Sequence, residues 1–154
     1  MSNRVITTNS YLETYELGKR IGLHIQNLIK NEGIKLGFIG DIGAGKTLMI
    51  KGIMSELMPK EDVTSPTYTI INQYSINERD ILHVDLYRIT NTAELMGTGF
   101  IEAISDPSTV MFIEWIDRII NEVDNLCSDM VYVDISYVSA DERKITIKNW
   151  SREL

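Results

Sequence analysis

Residues 40–47 read GDIGAGKT and follow the apolar run IKLGFI of residues 34–39. The eight residues match the pattern G-x-x-x-x-G-K-[ST], whose glycines let successive backbone N–H groups point at phosphate oxygens. The helical pattern TLMIKGIMSEL that follows adds the positive end of a helix dipole and completes a strand–loop–helix unit. The stretch therefore predicts a P-loop that binds a nucleoside triphosphate, and a plain glycine-rich turn is the less favoured alternative.

Two side chains of the loop have specific predicted roles. Lys46 is expected to reach the β- and γ-phosphates, and Thr47 is expected to place its hydroxyl on a magnesium ion. The predicted nucleotide contacts are the whole loop and the residue after it: Gly40, Asp41, Ile42, Gly43, Ala44, Gly45, Lys46, Thr47 and Leu48.

Two carboxylates qualify as the acid that a P-loop enzyme needs to hold magnesium or to orient the attacking group. Asp85 follows the apolar run ILHV, and Glu114 follows the apolar run VMFI. Both are expected at the carboxyl edge of the sheet, where open α/β sheets bind ligands. Either could be the direct metal ligand, and a solvated acid at a strand end is the alternative for each.

Two further positions are weaker candidates. Thr67 lies in the hydroxyl-rich stretch TSPTY of residues 64–68, and it could sense the γ-phosphate as switch loops do. An ordinary Ser/Thr turn is an equally good interpretation. His83 shares a strand face with Asp85, two residues away, and could support the site, but a core histidine is favoured.

Length and charge restrict the possible functions. A chain of 154 residues fits one domain spanning 1–154, and its net charge of −7 argues against direct binding of nucleic acid. The single cysteine, Cys127, excludes an intramolecular disulfide, fits a reducing cytosol and is expected to be buried. The polar N-terminus MSNRVITTNS and the lack of a long apolar run predict a soluble cytoplasmic protein without a membrane segment.

The order of patterns along the chain predicts a fold class. Ser10 and Glu13 form a capping box that opens a helix to about Asn31, which Gly33 ends. The later segments are, in order, a strand TIINQY, a turn SINERD, a strand within ILHVDLYR, a polar helical segment around NTAELMGTG, the short FIEAISD, a buried strand TVMFIEW, a helix IDRIINEV and a terminal hairpin MVYVDISYV–SADER–KITIKNW. We expect a three-layer αβα P-loop NTPase fold whose mixed sheet has a parallel centre and added antiparallel hairpin strands.

Four motifs together resemble a known family. GDIGAGKT, TSPTY, HVDLYR and IEW, in this order and spacing, are similar to the bacterial TsaE family, also called YjeE, from about Val5 to Asp117. The resemblance implies an ATPase, slow alone, that acts with the TsaB–TsaD pair, which transfers threonylcarbamoyl to adenosine 37 of tRNA. It also implies that tRNA is met only indirectly, through these partners, and that the cofactors are ATP and Mg²⁺.

The resemblance also implies roles for individual residues. Thr47 and Glu114 correspond to the magnesium ligands, Asp85 to an acid acting on metal or water, and Thr67 to the switch-like loop. With Lys46, the residues Asp85, Glu114 and Thr67 form the expected catalytic set.

More peripheral positions follow from the same resemblance. The segment SYLETYELG resembles an opening helix near the adenine, so Tyr11 and Thr14 are candidate base contacts. Trp115 could pack beside the nucleotide, a partner or the core, and Arg88 could pair with Asp85, steer phosphate or cap a strand end. Two departures are Leu48, where the family often has a second Thr, and EWID in place of EWPE.

Two rival functions belong to other classes. A small P-loop metabolite kinase would need an arginine-bearing lid, but the seven arginines are scattered and the C-terminal third reads as a hairpin. A non-catalytic nucleotide sensor, which would bind ATP or GTP and change partner affinity, is harder to separate from an ATPase whose intrinsic turnover is slow. The sequence contains no N-K-x-D tetrapeptide, the usual guanine reader, so adenine is favoured.

Overall fold

A seven-stranded mixed sheet organises the computed structural model, which describes residues 3–151. Residues 1–2 and 152–154 of the predicted domain 1–154 lie outside the described residues, as does the start of the N-terminal segment MSNRVITTNS. The strands are β1 Arg4–Thr8, β2 Ile34–Ile39, β3 Ile71–Ile76, β4 Arg79–Asp85, β5 Val110–Glu114, β6 Val131–Tyr137 and β7 Arg143–Lys148. The helices are α1 Tyr11–Leu28, α2 Lys46–Leu57, α3 Phe100–Ser105 and α4 Ile120–Leu126, with 3-10 turns at Thr92–Leu95 and Ile116–Ile119.

The strand order is β1-β7-β6-β2-β5-β4-β3. The central strands β6, β2, β5 and β4 are mutually parallel, whereas β3 pairs antiparallel with β4 and β7 pairs antiparallel with β6. This arrangement confirms the predicted parallel centre with antiparallel hairpin strands on both sides. It also brings the carboxyl ends of four parallel strands to one edge, where the P-loop follows β2.

Helices cover both faces of this sheet. On β5, Val110 and Phe112 pack into the core beneath α1 and α2, whereas Met111 and Ile113 pack into the core beneath α3 and α4. All four side chains are fully buried, which explains why this strand reads as a continuous apolar run instead of an alternating one. The three-layer αβα prediction is therefore confirmed.

Glycines set the distance between α1 and α2. A Cβ added to Gly52 of α2 would lie 2.3 Å from the carbonyl oxygen of Tyr15, and one added to Gly18 of α1 would lie 2.3 Å from that of Met49. The helix backbones therefore touch directly. Because α2 begins at the P-loop, this contact fixes the helix whose N-terminus faces the site.

The N-terminal strand β1 was not predicted. Residues 4–8 form an edge strand that pairs with β7, for example through Ile6 opposite Ile145. Its exposed and half-buried residues alternate over only five positions, a signal too short to identify a strand. Pairing with the far end of the chain, a non-local contact, places it in the sheet.

Several predicted boundaries also shift. Helix α1 ends at Leu28, and Gly33 instead lies where a Cβ would meet the Pro107 carbonyl at 2.3 Å. The strand predicted from residue 69 begins at Ile71, because the N–H groups of Thr69 and Ile70 donate to the Pro66 carbonyl in a turn.

The shorter predictions have mixed outcomes. The polar segment around NTAELMGTG contains a 3-10 turn and no α-helix, and IDRIINEV begins as a 3-10 turn before α4. The turn in SINERD is a two-residue hairpin in which Asn77 and Glu78 have φ of 49° and 65°, as a type I′ turn requires. The capping box at Ser10 and Glu13 and the terminal hairpin are present as predicted.

Two further observations concern Cys127 and the character of the helices. Cys127 is buried, and burial together with the hydrogen bond to Asp129 raises the pKa of its thiol to about 11. Within residues 3–151, none of the helices has the length and apolar character that crossing a membrane would demand.

Candidate functional site

A cavity of about 770 Å³ opens at the carboxyl edge of the parallel strands. Its volume lies in the range of small-molecule and cofactor sites. The lining residues are Tyr11, Thr14, Ile42, Gly43, Ala44, Gly45, Lys46, Thr47, Leu48, Thr67, Asp85, Tyr87, Glu114, Trp115, Ala140, Asp141 and Arg143. All the predicted site residues are in this set except Gly40 and Asp41, which lie at the base of the loop. Tyr87, Ala140, Asp141 and Arg143 were not predicted.

The loop has the backbone conformation of an anion-binding turn. Gly43 and Gly45 have φ of +75° and +114°, values that L side chains rarely adopt. Gly45 is the N-cap of α2, so the helix begins at Lys46 with its N-terminus directed into the cavity. Free N–H groups and the helix dipole at this point favour a phosphate.

The Lys46 side chain folds back over its own loop. It is only 4% exposed, and its ammonium donates to the carbonyl oxygens of Gly40 and Asp41. The same nitrogen lies 3.9 Å from the ring centroid of Trp115, a cation–π contact. Burial lowers the pKa of Lys46, and the carboxylates of Glu114 and other acids oppose that shift. The positive charge is thus held beside the loop by neutral dipoles and an aromatic face.

Thr47 and Glu114 meet at the centre of the site. The Thr47 hydroxyl lies 2.9 Å and 2.7 Å from the two carboxylate oxygens of Glu114, and Glu114 is 2% exposed. His83 is fully buried, and its Nε2 lies 2.8 Å from Glu114 Oε1. A buried carboxylate is costly without such partners.

His83 was expected to be a core residue, and the structure adds a polar contact to that role. It is buried, and it also orients the central carboxylate of the site. Its two-residue spacing from Asp85 was the available signal, since alternate residues of a strand share a face. The partner itself, Glu114 on the neighbouring strand β5, is a long-range contact that the spacing does not specify.

Asp85 lies beside Glu114, since the two residues are register partners on β4 and β5. One Asp85 oxygen accepts from the Thr67 hydroxyl at 3.1 Å, and the other accepts from the Tyr87 N–H at 2.9 Å. The switch-like stretch 64–68 is therefore tied to the acid at the sheet edge. The guanidinium of Arg88 stacks 4.9 Å from the ring centroid of Tyr68, and its suggested pairing with Asp85 does not occur.

The donor chemistry at this edge fits magnesium. Mg²⁺ prefers oxygen ligands and is usually held by one or two carboxylates together with substrate phosphates. Thr47 Oγ1 and Glu114 are in direct contact, and Asp85 lines the same cavity. Residues 3–151 contain no cluster of three or more His, Cys, Asp and Glu side chains able to hold a metal ion.

The two candidate base contacts differ in how accessible their side chains are to a ligand. Tyr11 is 69% exposed at the cavity rim. Thr14 is buried, and its hydroxyl lies 2.7 Å from that of Thr8 and 3.3 Å from the Ser10 carbonyl. The Thr14 hydroxyl is thus already engaged within the protein, whereas the Tyr11 side chain is exposed.

Trp115 has an unusual backbone conformation for its residue type. Its φ of 59° and ψ of 38° are left-handed, and it precedes the 3-10 turn of Ile116–Ile119. Its ring packs 5.0 Å from that of Tyr87 and beneath the Lys46 ammonium. Such conformations concentrate at functional sites, where the surrounding structure compensates the strain. The EWID sequence thus ends β5 at Glu114, passes through one left-handed residue and enters the 3-10 turn.

The fold and this loop define a P-loop nucleotide-binding protein. The family model described as "Threonylcarbamoyl adenosine biosynthesis protein TsaE" matches residues 8–145. The chain belongs to the TsaE family, as the sequence motifs predicted.

Individual relatives agree with this assignment. A protein of Rickettsia typhi named tRNA threonylcarbamoyladenosine biosynthesis protein TsaE is 32% identical over 143 residues, covering 92% of each chain. The protein of the same name from Haemophilus influenzae is 32% identical over 120 residues, covering 76% of this chain and 75% of its own. Among solved structures, Bacillus subtilis YdiB superposes with a TM-score of 0.65 at 24% identity, covering 95% of this chain and 84% of YdiB. This last likeness concerns the fold.

Proposed function

We propose that this chain is a Mg²⁺-dependent ATPase that supports threonylcarbamoyladenosine modification at position 37 of tRNA, together with the TsaB–TsaD pair. The observation that carries the ATPase proposal is the meeting of Lys46, Thr47, Glu114 and Asp85 around one cavity at the N-terminus of α2. The modification pathway is taken from the family and from the names of the relatives.

The proposed chemistry assigns one task to each side chain. Lys46 exchanges its loop carbonyl partners for the β- and γ-phosphates, and its charge stabilises the transferring group. Thr47 and Glu114, with Asp85 beside them, would hold Mg²⁺, which when bound neutralises charge on the phosphate oxygens. Asp85 orients the attacking water, and Thr67, bonded to Asp85, responds to the γ-phosphate.

The net charge of this chain supports the proposal that its partners, and not the chain itself, bind the tRNA. A net charge of −7 does not favour binding of tRNA phosphates, whose recognition normally needs clustered Lys and Arg. In this proposal TsaB–TsaD contact the tRNA, and the present chain supplies nucleotide hydrolysis. The proposed location is the cytoplasm, with which a single, buried cysteine is compatible.

The test is ATP turnover by the purified chain, with and without TsaB–TsaD. We expect slow Mg²⁺-dependent release of phosphate alone and faster release with the pair. Lys46→Ala should lower kcat by about 100-fold or more, because it removes the charge at the transferring phosphate. ATP binding without turnover under both conditions would favour a nucleotide sensor, and wild-type turnover by folded Lys46→Ala would refute the P-loop assignment.

A further inference from the structure

The terminal hairpin contacts the P-loop through two side chains. Tyr137, the last residue of β6, donates its hydroxyl to the Ile42 carbonyl at 2.8 Å. Arg143, the first residue of β7, donates Nε–H to the Ala44 carbonyl at 3.1 Å. Both distances are those of ordinary hydrogen bonds. The hairpin thus binds the outer side of the loop at two alternate peptides.

The two side chains are themselves fixed by the hairpin. Tyr137 and Arg143 are register partners, and the guanidinium lies 4.1 Å from the tyrosine ring centroid. Nη1 of Arg143 also donates to the carbonyls of Ser139, Ala140 and Glu142 at 3.1, 2.9 and 3.1 Å. The planar guanidinium is therefore held in one orientation by the turn that encloses it.

These two contacts determine which way the loop amides point. In a trans peptide the C=O and the following N–H are directed oppositely. Binding of the Ile42 and Ala44 carbonyls to the hairpin therefore turns the N–H groups of Gly43 and Gly45 to the other side. Gly43 and Gly45 line the cavity, and within the described residues 3–151 neither N–H donates to a protein acceptor. They are therefore available to a phosphate, together with the first N–H groups of α2.

Both backbone conformation and packing disfavour a different residue at Gly43. A Cβ added to Gly43 would lie 2.7 Å from the Tyr137 hydroxyl, and its φ of +75° is unfavourable for any L side chain. The hairpin and the loop are therefore matched in shape as well as in hydrogen bonding.

We propose that Tyr137 and Arg143 are positioning residues that hold the P-loop in its anion-binding conformation before nucleotide arrives. This inference rests on the proposed function only in assuming that the loop receives nucleotide phosphates. Without the two contacts the carbonyls are released, and the loop spends part of its time in conformations whose N–H groups face elsewhere. The apparent affinity then falls with the fraction of binding-competent loop, whereas a saturating nucleotide still organises the loop for the reaction.

The test separates binding from turnover. ADP affinity is measured by isothermal titration calorimetry, and KM and kcat are measured for MgATP, in Tyr137→Phe, Arg143→Lys and Arg143→Met. Each variant is expected to weaken ADP binding about threefold to tenfold, as loss of one hydrogen bond does, and to raise KM with kcat within about twofold of wild type. Arg143→Lys keeps the positive charge but lacks the planar set of guanidinium donors. Weaker ADP binding by this variant therefore distinguishes positioning of the loop from simple electrostatic attraction of the nucleotide.

The matched control is Ser136→Ala, which removes a hydrogen bond to the Lys144 carbonyl in the same hairpin without touching the loop. It should bind ADP as the wild type does. Wild-type affinity in Tyr137→Phe and Arg143→Lys, or an equal loss in Ser136→Ala, would overturn the inference while leaving the proposed function intact. Absence of ADP binding by the wild type would overturn both. Tyr137→Phe removes only the hydroxyl oxygen, so if the arginine variants fail to fold, wild-type ADP affinity in Tyr137→Phe alone overturns the inference.

Discussion

Glu114 and Asp85 are adjacent carboxylates whose environments differ. Glu114 accepts from the Thr47 hydroxyl and contacts His83, so it is held toward the P-loop. Asp85 accepts from Thr67 and from a backbone N–H, so it is held toward the stretch 64–68. In the proposed function, these contacts assign Glu114 to the metal and Asp85 to the attacking water.

This difference predicts a split between binding and catalysis. Glu114→Gln should weaken Mg²⁺-dependent nucleotide binding about tenfold or more, because it removes a charged ligand while keeping the shape. Asp85→Asn should lower kcat about 100-fold or more with binding nearly retained, as loss of a general base does. Titration calorimetry with and without Mg²⁺, together with kcat, measures both effects.

The control for the carboxylate pair is Asp80→Asn, at the opposite end of the same strand β4, where the carboxylate accepts from the Ser75 hydroxyl. It should leave both quantities unchanged. Equal losses of affinity in the Glu114 and Asp85 variants would show instead that both residues hold the metal.

At the level of elements, local signals predicted most of what surrounds the site. The capping box, the glycines of the loop and the apolar runs before Asp85 and Glu114 each depend on a few consecutive residues, and all appear where expected. What the sequence did not reveal depends on contacts between distant segments. Strand β1 exists by pairing with β7, and Tyr137 and Arg143 reach the P-loop from almost 100 residues away.

The close contact between α1 and α2 leads to a prediction about stability. Alanine is a better helix former than glycine by about 1 kcal/mol, so Gly52→Ala would stabilise an isolated helix. Here its Cβ would meet the Tyr15 carbonyl at 2.3 Å, and overpacking against rigid backbone costs about 1–3 kcal/mol. Because the clash is with backbone, we expect a cost in the upper part of that range, about 2–3 kcal/mol, and hence a net loss of about 1–2 kcal/mol in the free energy of unfolding, measured by urea denaturation.

Lys51→Ala, at an exposed position of the same helix, provides the comparison and should change stability by less than about 0.5 kcal/mol. Unchanged or increased stability of Gly52→Ala would mean that the two helices separate without cost. Because α2 begins at Lys46, any such separation should also appear as weaker nucleotide binding.

On the scale of the whole molecule, an exposed aromatic side chain lies next to the site and is a candidate contact for a partner. Thr67 contacts Asp85 inside the site, while the next residue, Tyr68, is 85% exposed and stacks with Arg88. In the proposed function, a change at the γ-phosphate that breaks or tightens the Thr67 contact would act next to this exposed aromatic side chain. We therefore expect the stretch 64–68 to connect the proposed nucleotide site with the proposed partner.

The last prediction is nucleotide-dependent assembly. A nucleotide can shift the affinity for TsaB–TsaD only if it binds the free and the partnered chain differently, and such couplings are typically about 5-fold to 150-fold. We expect the affinity for the pair, measured by titration calorimetry, to differ among the ATP, ADP and nucleotide-free states, and Thr67→Ala to reduce this difference. Ser75→Ala removes a hydroxyl that donates to Asp80 on the neighbouring strand, and it should preserve the difference. The chain alone should bind tRNA weakly, with that binding lost as salt rises, because its net charge is −7. Identical affinities in all three nucleotide states would refute this coupling, because a ligand that binds both states equally shifts no equilibrium.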